Sequence, residues 1–101
     1  MHTIRLGPPW VVVTHAGRTT HSRNFGSPRT LDAGERLWLV CAAVPAATDV
    51  SVNGEALASV EVAGPFAVNI TDRVRPRNVV VFAVAAGETL GAVTLEVRQS
   101  I

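Results

Sequence analysis

The 101-residue sequence has no lysine and no tyrosine, and it has a single cysteine. One cysteine excludes an internal disulfide and any Cys-x-x-Cys metal or redox motif. Set in the apolar run Leu37-Trp38-Leu39-Val40-Cys41, it reads as a small buried hydrophobe rather than a nucleophile. Charge is also sparse. Only 17% of residues are charged and the net charge is +1, so the strong basic patch expected of a nucleic-acid binder is missing. No run approaches the ~20 apolar residues needed to cross a bilayer. The start of the chain does not read as a signal peptide, because Trp10 to Val13 is too short an apolar region and Pro8-Pro9 interrupts it. These absences predict a cytoplasmic, soluble protein with neither nucleic acid nor membrane as partner. Helices are excluded as well, since no window keeps helical apolar spacing for three turns without meeting Gly or Pro.

What is present is valine and turn signals. Hydrophobic residues make up 48% of the chain, enough to argue against disorder. A chain of this length buries one core without metals or disulfides, so residues 1–101 are expected to form a single domain. Gly7-Pro8-Pro9, Gly17, Gly26-Ser27-Pro28, Ala33-Gly34, Asn53-Gly54, Gly64-Pro65, Arg75-Pro76 and Gly87 divide the chain into short runs rich in β-branched residues. That spacing predicts an all-β sandwich, with strands near 2–6, 10–16, 18–25, 36–44, 48–53, 56–62, 66–71, 78–85 and 91–98. Val50 and Val52, Val68 and Ile70, and Val93, Leu95 and Val97 alternate with polar residues, as half-buried strands do. Asn53-Gly54 suits a type I′ hairpin turn.

Three runs are apolar on both faces: Trp10 to Val13, Leu37 to Ala42 and Val79 to Val84. A sandwich buries one face of each sheet, so the second face needs a cover. The candidates are the N-terminal segment, a second copy of the chain or another protein, and a homo-oligomer through these strands is expected. The segment before Asp32 carries Arg5, Arg18, Arg23 and Arg29 with His2, His15 and His21 and no acidic residue. It forms either an anion-attracting face or a set of side chains scattered over both sheets.

Catalytic machinery is not evident. The three histidines and Cys41 lack metal-ligand spacing, and His15 and His21 fall on different predicted strands. Glycosidase chemistry needs two carboxyls facing each other across a bond, whereas Glu35, Glu55, Glu61 and Glu88 mostly fall beside predicted turns as solvated charges. No catalytic residue, metal ligand or cofactor is assigned.

From Ser22 to Val97 the chain resembles the N-terminal sugar-binding domain of family 2 glycoside hydrolases, a jelly roll of the galactose-binding-like superfamily. Arg23-Asn24-Phe25 with Pro28 is similar to that family's Arg-x-Phe strand and its proline. Glu35 to Val40 is similar to the strand entering the domain's centre, and Ala47 to Val52 with Asn53-Gly54-Glu55 to the strand that ends in an Asn-Gly turn. Pro65-Phe66 through Ile70-Thr71-Asp72, with Val74-Arg75-Pro76, and then Leu90 to Leu95 complete the order. The resemblance implies an antiparallel jelly roll that binds sugar without catalysing, since the family's hydrolytic carboxylates lie on a separate domain that would begin where this chain ends.

Departures from the family's pattern bear on function. The loop before the closing strand shrinks to Ala85–Leu90, with Glu88 its only charge. Ser51 and His21 stand where relatives often carry an aromatic residue and a tyrosine. Within a carbohydrate site, Trp10 or Trp38 would stack on a sugar face, and Arg18, His21 and Asn53 would bond its hydroxyls. The alternative is a structural or oligomerising domain that has lost that site.

Overall fold

A computed structural model describes residues 2–27 and 30–99. Pro28 of the family-like motif and Arg29 of the basic segment lie outside the described residues. The strands are β1 (His2–Arg5), β2 (Val11–His15), β3 (Arg18–Gly26), β4 (Glu35–Val44), β5 (Thr48–Val52), β6 (Glu55–Val60), β7 (Gly64–Asn69), β8 (Arg77–Ala85) and β9 (Val93–Gln99), with one 3₁₀ turn at Thr71–Arg73. Every predicted strand is present, with ends displaced by two residues at most.

The strands form two antiparallel sheets, a four-stranded one ordered β1-β9-β4-β7 and a five-stranded one ordered β2-β3-β8-β5-β6. Their facing sides make an all-β sandwich of the jelly-roll kind. Leu37, Leu39 and Cys41 of β4 and Val93, Leu95 and Val97 of β9 meet Val50, Val52, Val80 and Phe82 from the other sheet. Alternation along each strand sets this arrangement, because successive side chains point to opposite faces. Asn53 (φ 54°) and Gly54 (φ 79°) turn β5 into β6, and Ala16 (φ 51°) and Gly17 (φ 79°) turn β2 into β3. Both pairs have the positive φ values of a type I′ hairpin.

Two expectations need correction. The N-terminal segment does not cover an outer face: β1 pairs with β9 at the edge of the four-stranded sheet, because its backbone finds a ladder there. Glu35 is not a solvated turn charge but is 6% exposed, and its carboxylate accepts the Asp32 N–H at 3.0 Å. The doubly apolar runs β4 and β8 are interior strands of their sheets, and their outward residues from Val79 to Ala85 and at Trp38 and Val40 are half-buried by flanking side chains. No helix among the described residues is long and apolar enough to cross a membrane.

Candidate ligand-binding cleft

Residues 6–10 cross from one sheet to the other and close that side of the sandwich. Leu6 is 5% exposed, and its N–H donates to the Val93 carbonyl at 2.9 Å. The Leu6 carbonyl in turn accepts the Trp10 Nε1–H at 3.2 Å. The indole thereby rests against Phe82, with ring centroids 6.2 Å apart. His21 pairs with Phe82 across β3 and β8, so both side chains point inward, as paired residues share a face.

Trp10 and His21 line a cleft of about 240 Å³ with Thr89, Leu90, Gly91 and Val93. Its far wall is the short segment between β8 and β9, held by the Gly91 N–H on the Ala43 carbonyl at 2.7 Å. Gly91 is required by this approach: a Cβ there would lie 2.7 Å from the Ala43 nitrogen. His21 Nε2 is buried and has no hydrogen-bond partner, an uncommon condition for a buried polar atom and one that invites a ligand or a water.

The other three candidate residues lie elsewhere. Arg18 is on the outer face of the five-stranded sheet. Its guanidinium donates to the Ala47 carbonyl at 2.8 Å, the Ala83 carbonyl at 2.9 Å and the Asp49 carboxylate at 3.0 Å. Trp38 is on the outer face of the four-stranded sheet, under the Arg98 guanidinium carbon 4.6 Å from the ring centroid. Arg98 also pairs with Glu96 at 2.9 Å. Asn53 sits at a sandwich end, where its amide donates to the Arg73 carbonyl and Asn78 Oδ1 and its oxygen accepts the Val79 N–H, each at 3.0 Å. A larger, shallower depression of about 480 Å³ lies beside it, lined by Asn24, Phe25, Asn53, Arg77 and Asn78. Asn53 and Asn78 are spent there on each other and on backbone, which leaves Arg77 as the charged group at its rim.

The structure therefore brings together two of the five candidates, Trp10 and His21. Thr89, Leu90, Gly91 and Val93 complete the cleft, and the sequence showed them only as parts of the shortened loop and the closing-strand segment. Among the described residues, no cluster of three or more His, Cys, Asp or Glu side chains could hold a metal ion. Cys41 is buried, and burial pushes its thiol above the ordinary value, the reverse of an activated nucleophile.

This architecture is an antiparallel all-β sandwich of two packed sheets with a small cleft at one side. Solved glycosidases, one of them a glycosyl hydrolase family 2 member, contain a unit of similar fold. An FMN-binding β-glucuronidase from Facaelibacterium prausnitzii L2-6 superposes with a TM-score of 0.77 at 20% identity over 93% of this chain and 22% of its own. The β-glucuronidase of Bifidobacterium dentium, solved with coumarin-3-O-glucuronide, is 33% identical over 70% of this chain and 12% of its own, with a TM-score of 0.62. A glycosyl hydrolase family 2 member from Bacteroides cellulosilyticus gives a TM-score of 0.64 at 20% identity, over 82% of this chain and 12% of its own. The family resemblance read from the sequence is thus borne out. The chain spans between 12% and 22% of the length of these enzymes. No family model matches the sequence, and no curated protein matches it.

Proposed function

We propose that this domain is a non-catalytic binding module that takes a single sugar ring in the Trp10–His21 cleft. The observation that carries this reading is the buried, unpartnered His21 Nε2 beside an indole ring. Sugars are held by an apolar face on an aromatic ring and by fixed polar groups that select hydroxyls. The cleft's volume of about 240 Å³ falls just under the ~300–1,000 Å³ of sites for drug-sized ligands, which suits one ring rather than an oligosaccharide. Two of the similar enzymes are β-glucuronidases, so uronic acids belong in the first panel beside neutral sugars.

Calorimetric titration of the domain with monosaccharides and their glucuronides tests the reading. Binding that is lost in Trp10→Ala and in His21→Phe, with the fold retained by circular dichroism, is the expected result. Silence across the panel overturns it.

A second reading is a structural domain that keeps the jelly roll and has lost the sugar site. Its support is that Arg18, Trp38 and Asn53 all have internal partners. Silence in the titration would favour it.

A further inference from the structure

Each of the two sheets has two edges, and an edge strand presents unpaired N–H and C=O groups to any strand that can reach it. Three of the four edges carry devices that blunt this. β1 has four residues and ends in Arg5. β7 contains Pro65 and pairs with β4 across an irregularity between Cys41 and Val44. β6 opens with Glu55 and pairs with β5 across another irregularity between Val50 and Ser51.

β2 has none of these. Its sequence is Val11-Val12-Val13-Thr14-His15, in unbroken register with β3. It holds no proline, no carboxylate and no arginine. Val11, Val12 and Val13 are 61%, 54% and 54% exposed, and the fourth large apolar side chain exposed among the described residues is Val62. Val12 points to the inner face with His21, its partner across the ladder.

We infer that β2 pairs antiparallel with β2 of a second copy, joining two five-stranded sheets into one continuous sheet about a two-fold axis. The occupant is argued from chemistry. A strand added here must be apolar on both of its faces, and β2 is the one described strand that exposes valines on both faces. With Val12 on the axis, Val12 meets Val12 of the partner subunit and Val11 meets Val13 of the partner subunit. Every central pair is then a β-branched contact, of the kind that stabilises neighbouring strands. The contact is isologous, as a two-fold requires. No like charges oppose each other across the three valines. With the axis on Val12 only Val11–Val13 of each strand overlap, about 10 Å of strand, a contact well short of the ~1,200 Å² of stable interfaces. Affinity then rests on main-chain hydrogen bonds, and association depends on concentration.

Sedimentation velocity of the 101-residue chain, taken up to roughly 500 µM so that a Kd near 1 mM still shows dimer, reads the association directly. A dimer that grows with concentration and vanishes in Val12→Lys, with the urea midpoint unchanged, is the expected result. A chain that stays monomeric throughout, or a Val12→Lys variant that dimerises like the parent, overturns the proposal. The register has its own test. Under mild oxidation Val12→Cys should give a disulfide-linked dimer and Val11→Cys should not, with buried Cys41 out of reach. Equal cross-linking of the two variants overturns the assigned register.

Discussion

At the residue scale, Asn53 shows how a side chain of sugar-binding type can be consumed by the fold. Its amide holds the Arg73 carbonyl and Asn78, and its oxygen takes the Val79 N–H, all from a backbone at φ 54°. Asn53→Ala leaves the Val79 N–H unpaired, at about 1–3 kcal/mol, and puts a Cβ-bearing residue without local hydrogen bonding at positive φ, at about 1 kcal/mol more. Asn53→Gly loses the same bonds and keeps the turn. Urea unfolding should therefore find both variants destabilised, with glycine the milder by about 1 kcal/mol. The sequence revealed the turn through Asn-Gly, but not the three bonds, because their acceptors and donor come from residues 20 or more positions away.

Cys41 gives a second residue-scale prediction, and the missing residue types make it unusually clean. Burial raises its thiol from the ordinary 9.0 and outweighs the opposing backbone contacts at Ala43 and Gly91. The folded chain therefore keeps the proton at a pH where the unfolded chain has released it. The associated stability is complete below pH 9.0 and declines as pH rises beyond it, since the native state then binds more protons. With no lysine or tyrosine in the chain, few other groups titrate in this range. Unfolding free energy should fall as pH rises past 9.0 in the parent and stay flatter in Cys41→Ala.

At the scale of elements, strand positions and faces were legible because alternation and turn residues are local signals. Leu37, Leu39 and Cys41 face the core as their spacing predicts. Sheet order was not legible. Nothing local in β4 or β8 states that each has neighbours on both sides, so their second apolar face read as an open surface. In the folded chain Arg98 lies over Trp38, and Arg18 reaches across to Ala83 and Asp49. The same limit applied to the candidate site: residue type suggested five side chains, and only topology could show that Trp10 and His21 share a wall. Gly91 is the element-scale test of this packing. Its Cβ position is 2.7 Å from the Ala43 nitrogen, on the far wall of the cleft. Gly91→Ala must push the β8–β9 segment off the β4 irregularity, at about 2 kcal/mol for an overpacked contact. A fall of roughly 10 °C in Tm is expected for a chain of this size, and an unchanged Tm would show that the segment shifts freely.

At the scale of the whole molecule, the two ends of the chain are zipped together. β1 pairs with β9 from His2↔Val97 to Arg5↔Thr94, and the next residue, Leu6, bonds Val93 and is 5% exposed. The same residue carries the acceptor for Trp10 Nε1, so the N-terminal strand, the sandwich's closed side and the cleft depend on one connection. Deleting residues 1–6 removes a four-residue strand, Ile4 from the margin of the core and Leu6 from within it. Loss of one buried leucine alone costs about 2–5 kcal/mol, against a total stability of roughly 5–15 kcal/mol for a native domain. The truncated chain should thus be severely destabilised or unfolded. If it does fold, Trp10 should emit at longer wavelength while Trp38, under Arg98 on the opposite sheet's outer face, is unchanged, so a Trp38→Phe background isolates the signal. A truncated chain within about 1 kcal/mol of the parent, a change typical of exposed sites, would mean that β1 merely borders the sandwich. Trp10 would then hold its wall of the cleft without the Leu6 carbonyl.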